Sequence, residues 1–157
     1  ANSPRPVGLP ESLRLAIRSF LLVCAIRRVR GQVAVHNSML IHVTRYNAWQ
    51  EHVRGLIDEV FDYYRRGINQ NDPTILEEMR QTYVEDQHTF PSFVTTSARV
   101  ASSATLREVE SAATVHAWQD VLEQLNEAAS RIRVLTINGG SADALNYVDY
   151  PDGLSVI

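Results

Sequence analysis

The sequence predicts an α/β fold in which a small parallel sheet is joined through helices and carries a helical insertion. Three observations predict it. An apolar, β-prone run from Ser38 to Val43 passes through a polar turn into a long amphipathic segment; a second such run, Arg131 to Asn138, stops at Gly139-Gly140; a third, Leu154 to Ile157, follows the turn Pro151-Asp152-Gly153. Short continuous apolar runs separated by helical periodicity are the pattern of strands buried on both faces of a parallel sheet. In such folds ligands are held where a strand's carboxyl end feeds the next helix, so the stretch from Val35 to Tyr64 is the place to look for function.

The entry segment, Ala1 to Leu9, holds Pro4, Pro6 and Gly8 and reads as extended. Pro10, Glu11 and Ser12 open a helix to about Arg30, with Leu13, Ala16, Ile17, Phe20, Leu21 and Cys24 at helical spacing. Arg14 and Arg18 stand one turn apart on the side read as polar. Arg27, Arg28 and Arg30 crowd the last turn before Gly31, which suits the negative end of the helix dipole. Such a cluster can meet nucleic-acid phosphates; a solvated last turn is the plainer reading.

In the first strand, a period of two puts His36, Ser38, Leu40 and His42 on one face and Met39, Ile41 and Val43 on the other. The pair His36 and His42 is the alternative metal site, although neither a third ligand nor a cysteine partner is marked nearby. The helix after it is the clearest element. Asn47 caps it, Gln50 completes a capping-box pattern, and Trp49, Val53, Leu56, Ile57, Val60, Phe61 and Tyr64 mark its inner face. Arg54 and Asp58 are spaced for an ion pair, and Arg66-Gly67 closes the helix. Thr44, Arg45 and Asn47 then occupy the strand-to-helix turn, where backbone N–H groups and a cation converge as a phosphate-binding site requires.

Beyond Gly67, Asp72-Pro73 starts a helix to about Asp86 with Ile75, Leu76, Met79 and Tyr83 inward, and Thr95 to Thr105 reads as a loop or linker. A further long helix spans Leu106 to Arg131, with Val109, Ala113, Ala117, Val121, Leu122 and Leu125 in register. The organisation is therefore helix–strand–helix over 1–68, a helical insertion and loop over 69–105, and a helix with two strands over 106–157. A chain that stops on a buried-type strand reads as a piece of a longer protein.

Composition narrows the chemistry. All 15 cationic residues are arginine, which removes a phosphate-loop lysine, a Schiff-base lysine and any lysine-dependent nuclease site within these residues. A net charge of -3 argues against the uniformly basic surface of a small non-specific nucleic-acid binder. The single cysteine, Cys24, excludes an internal disulfide and reads as a buried core thiol. With no signal peptide or membrane span in view, a cytoplasmic protein is expected.

Four stretches together resemble the Z1 domain: Leu9-Pro10-Glu11-Ser12-Leu13; Arg27-Arg28-Val29-Arg30-Gly31; His36-Asn37-Ser38-Met39-Leu40-Ile41-His42-Val43-Thr44-Arg45; and Asp152-Gly153-Leu154-Ser155-Val156-Ile157. The resemblance covers most of the chain and is densest from Leu9 to Val60 and after Arg131. It implies an endonuclease-type domain associated with superfamily-two helicase-like ATPases of bacterial restriction and phage-defence systems. On it, the layer is a partial RecA-like (Rossmann-like) sheet, with the His36 strand and the Arg131 to Asn138 strand in the second RecA-like lobe. The Gly-Lys phosphate loop, acidic Mg²⁺ motif and later arginine motifs of such ATPases are not in this sequence. No cofactor is therefore expected here; ATP and Mg²⁺ are implied for the parent protein, with DNA and other domains of the same chain as partners and no membrane.

The leading expectation is a segment that contacts a DNA or nucleotide phosphate through Thr44, Arg45 and Asn47 and is catalytically silent alone. The alternatives are a metal-dependent nuclease using His36 and His42, and a helical protein-interaction module.

Overall fold

The computed structural model describes residues 8–42, 47–86, 91–103, 115–137 and 146–157. Their order is helix α1 (Glu11–Val29), strand β1 (Asn37–Ser38), helices α2 (Asn47–Asn69), α3 (Pro73–Val84), α4 (Phe93–Ser102) and α5 (Trp118–Arg131), strand β2 (Ile132–Arg133), a 3-10 turn (Tyr147–Asp149) and strand β3 (Ser155–Val156). The chain is predominantly helical, with one small sheet of order β1-β3-β2, parallel throughout. None of the described helices is long and apolar enough to cross a membrane.

Helix α1 is the spine. Its inner ridge, Ile17, Leu21, Leu22 and Ala25, is fully buried, and it packs most extensively on α5 through Val121, Leu125, Ala128 and Ala129. A Schellman motif ends it: Gly31 takes φ +77, its N–H donates to Arg28 O at 2.9 Å, and Gln32 N–H donates to Arg27 O at 2.8 Å. The same motif ends α2, with Asn71 at φ 53 in the glycine position and Asp72 N–H donating to Gly67 O at 2.8 Å. The Asp72 carboxylate then caps α3, accepting from Thr74 N–H at 2.9 Å and Ile75 N–H at 3.3 Å.

Arg14 and Arg18 correct the polar side assigned to α1, since only 5% and 3% of their surface is exposed. Arg18 Nε donates to Thr82 Oγ1 at 2.9 Å, one terminal nitrogen donates to the Tyr64 hydroxyl at 2.8 Å, and the other meets Glu11 at 3.0 Å. The Tyr64 hydroxyl in turn donates to Glu78 at 3.2 Å, and Glu78 lies 3.6 Å from the guanidinium. One side chain of α1 thus ties α2 to α3. Burial by itself disfavours the charge, but Tyr64 and Glu11 more than offset it, so Arg18 titrates above its ordinary range.

Three element boundaries differ from the sequence expectation. Helix α2 runs through Gly67 rather than stopping there, because a bare backbone is needed against α3: a Cβ at Gly67 would lie 2.5 Å from Ile75 Cγ1. Residues read as a loop form α4, started by Ser92, whose hydroxyl accepts from Thr95 N–H at 3.1 Å. Helix α5 begins at Trp118, with residues 115–117 out of helix, so the helix expected over Leu106 to Arg131 is interrupted there; Leu106 itself lies outside the described residues. The chain ahead of it is held out of helix at His116, whose carbonyl accepts from the Tyr83 hydroxyl at 2.6 Å; Val109 and Ala113 lie outside the described residues.

The first strand is also shorter and less buried than expected. β1 is an edge strand of two residues, and Leu40 is 89% exposed. In-register pairing puts Asn37, Ser155 and Ile132 on one face, and Met39, Ile157 and Val134 continue that face into the core. The opposite face meets the 3-10 turn segment, with Tyr147 against His36 at 4.6 Å and Arg133 over the Tyr150 ring at 5.7 Å. Leu40, Leu135 and Ile137 on that face stay exposed, so the sheet is covered by described helices on one side only.

Two substitutions test this frame. Arg18→Ala leaves the Tyr64, Thr82 and Glu78 groups without their shared partner and is expected to cost about 3 kcal/mol or more. Gly153→Ala is expected to cost at least about 2 kcal/mol, because Gly153 has φ +81 and a Cβ there would lie 2.6 Å from Val35 O. Urea unfolding measures both, and a loss under about 0.5 kcal/mol, the range of ordinary surface changes, would contradict either assignment.

Candidate functional site

A parallel sheet sends all its carboxyl ends the same way. β1 pairs with β3 through Asn37–Ser155 and Ser38–Val156, and Met39 N–H extends the ladder by donating to Val156 O at 3.0 Å. On the other flank Leu135 N–H donates to Ile157 O at 2.9 Å. The chain leaves the carboxyl end of β1 through Met39 to His42 and reaches the amino end of α2 at Asn47. The first turn of α2 contains no acidic residue, so its N–H groups face no carboxylate of their own helix there. Trp49 is 60% exposed beside this end, with the His52 ring at 6.0 Å, although its spacing assigned it to the inner face.

Of the three residues assigned to the phosphate site, Thr44 and Arg45 lie outside the described residues, as does the side chain of Asn47; the backbone of Asn47 opens α2. The expected Arg54–Asp58 pair is formed at 3.6 Å, and burial raises the Asp58 carboxyl above its ordinary range against the pull of Arg54.

The histidine pair separates. His36, at the opening of β1, accepts a hydrogen bond at Nδ1 from Leu154 N–H at 3.1 Å and packs on Tyr147, whereas His42 is exposed beyond the strand's other end. Among the described residues, no group of three or more His, Cys, Asp or Glu side chains comes together to hold a metal.

The cationic end of α1 is largely occupied internally, where a solvated turn was the plainer expectation. Arg27 donates to His36 O at 3.1 Å and to Asn37 Oδ1 at 2.6 Å, tying the helix to β1. Arg28 meets Gln124 at 3.3 Å and Glu127 at 3.8 Å, and Arg30 donates to His116 Nε2 at 3.1 Å. Behind them Cys24 is buried as expected, its thiol facing Ser155 Oγ at 4.0 Å; burial pushes it up to about 11.

A cleft of about 20 Å³ at the sheet's amino edge, between Cys24, Arg28, Asn37 and Ser155, has room for about one water. A groove of about 330 Å³ lies between α1, α3 and α4, lined by Leu15, Ala16, Phe93 and the hydroxyls of Ser12, Thr82 and Thr96. Among the described residues its only charged lining residue is Glu85, which offers nothing to hold a nucleoside triphosphate.

Described helices on one side of a parallel sheet, with α2 following the strand β1 in the chain, define an α/β domain of mixed, mainly helical content. Residues 12–157 match the Z1 domain, and the chain belongs to that family. No curated protein and no solved structure matches it.

The buried arginines escaped the sequence reading, yet a signal was present. Arg14, Arg18, Leu22 and Ile26 form one ridge at four-residue spacing, and the last two are plainly apolar.

The state of Cys24 gives a direct check. At about pH 8, where a free thiol is partly ionised, iodoacetamide is expected to leave the native protein unmodified and to label it fully in urea. Rapid labelling of the native protein would contradict the burial of this thiol.

Proposed function

We propose that this Z1 domain is a phosphate-contacting part of a helicase-like, ATP-dependent DNA-processing protein, and that its sheet belongs to a RecA-like lobe. Thr44, Arg45 and Asn47 would meet a phosphate of DNA or nucleotide at the turn between β1 and α2. The observation that carries this reading is the run of β1's carboxyl end toward a helix amino end whose first turn holds no acid, in an all-parallel sheet. Family membership supports it.

The chemistry assigned to the chain is binding rather than bond cleavage. Arg45 would supply a charge-assisted, bidentate-capable donor, Thr44 and Asn47 would add neutral donors, and the α2 N–H groups would complete a cradle for anionic oxygen. With no lysine in the sequence, the nucleotide and its Mg²⁺ would be held by residues elsewhere in the parent protein, and the segment would be silent alone.

In the full-length parent protein, Arg45→Ala is expected to weaken DNA binding about tenfold, evenly across sequences, and to lower the slope of log affinity against log salt by about 1. Unchanged affinity, salt dependence and ATPase rate would remove Arg45 from the site.

A further inference from the structure

We propose that two histidines near the carboxyl end of α1 form a proton-sensitive clasp, His36 holding β1 to the opening of β3 and His116 holding the lead into α5 to α1, and that acidification releases both. The inference stands apart from the phosphate-site reading and uses none of its residues.

Each histidine acts here as a hydrogen-bond acceptor, a role open only to the neutral ring. His36 Nδ1 accepts from the backbone N–H of Leu154 at 3.1 Å, while Asn37 N–H donates to Leu154 O at 2.8 Å. The imidazole is thereby an extra rung between β1 and the residue that opens β3. His116 Nε2 accepts from Arg30 Nε at 3.1 Å, and its backbone carbonyl accepts from the Tyr83 hydroxyl at 2.6 Å. It joins the last turn of α1 to the residues just ahead of α5.

Protonation converts both acceptors into donors. At His36 an N–H would then point at the N–H of Leu154; at His116 an imidazolium would face a guanidinium. The surroundings add to the repulsion at His36, where the Arg27 guanidinium lies on the backbone carbonyl at 3.1 Å. Tyr147 from the 3-10 turn packs on the His36 ring; the nearby acids are Asp149 in that turn and Asp152, which lines the cleft beside Asn37 and Ser155. Around His116 the facing groups are Arg30 from α1, Tyr83 from α3 and Asp120 in the first turn of α5. No carboxylate bonds either ring among the described contacts, whereas a cation or an N–H does.

One proton at His36 loosens β1 from the opening of β3, and one at His116 loosens the lead into α5 from the last turn of α1, so two contacts near the same helix end weaken together. The bonded form of each ring is the neutral one, so release comes on acidification. The β2–β3 pairing uses no histidine: Leu135 N–H donates to Ile157 O and Ile157 N–H to Arg133 O, both at 2.9 Å. It provides an internal control.

The test is amide hydrogen exchange on the protein at about pH 8 and about pH 5, corrected for intrinsic rates. Protection at Leu154 is expected to fall about tenfold on acidification, the worth of one hydrogen bond, with less change at Leu135. In His36→Asn, whose Oδ1 can take the place of Nδ1 without titrating, the Leu154 fall should vanish. In His116→Gln, the pH dependence of Trp118 fluorescence should vanish. Equal pH dependence in wild type and variants, or none in wild type, would overturn the proposal. Imidazole ¹⁵N shifts of the wild type keep the question open to test should a variant not fold. Near pH 8 both tautomers are fixed by the geometry, with the proton on Nε2 of His36 and on Nδ1 of His116; the opposite tautomer at either ring would contradict the clasp.

Discussion

The hydrogen-bonded guanidinium of Arg18 is the constraint on which the helical layer depends. A charge with 3% of its residue surface exposed is tolerable only when its donors are taken up. Here they are taken up by groups from three places: Glu11 on α1 itself, Tyr64 on α2, and Thr82 with Glu78 on α3. Because those donors point in fixed directions, the three helices can meet in few ways other than the one observed. Apolar contacts around Ile57, Val60, Ile75 and Met79 supply most of the attraction, and the arginine supplies the register.

The sheet depends on α1 as well, at its other end. Arg27 fixes the start of β1, Cys24 and Asn37 meet Ser155 on β3, and α5 delivers β2 directly from its last turn. β3 is central, so the last residues of the sequence hold together strands that begin about a hundred positions apart. The amino edge of the sheet is consequently dense with polar contacts. Its carboxyl edge carries exposed Leu40, Leu135 and Ile137 and leads into α2. The internally paired arginines of α1 thus lie at one edge, and the amino end of α2, with no acid in its first turn, follows the other.

Much of this arrangement was legible in the sequence, for identifiable reasons. α1, α2 and α3 announce themselves because apolar side chains recur at helical spacing and Asp72-Pro73 is an unambiguous start. The second and third strands lie inside β-prone runs bounded by Gly or turn signals, whereas the first, Asn37–Ser38, overlaps its expected run only at Ser38; the parallel order agrees with the alternation of strands and helices. What could not be read depends on contacts distant in sequence. Arg18 looked solvent-facing because a charged residue is normally so, and its burial is tolerable only with Tyr64, Thr82 and Glu78, partners distant in sequence, beside Glu11. α4 lacks a buried residue, so no apolar stripe marks it, and its Ser/Thr-rich composition imitates a loop. The alternative metal reading of His36 rested on residue type and strand face alone, and in the fold its Nδ1 accepts from Leu154 N–H. For the phosphate site itself, residue type and position carry the assignment of Thr44, Arg45 and Asn47, and the fold supplies the strand before them and the helix after.

The central claim is that an anion is received at the carboxyl edge of the sheet rather than at the arginine-rich end of α1. Backbone amide shift mapping during titration with a short DNA duplex tests it most directly. The account predicts perturbations centred on residues 44–50, weakening as salt is raised. Perturbations centred on Arg27 to Arg30 and the amino edge of the sheet, with the β1–α2 turn unmoved, would contradict it.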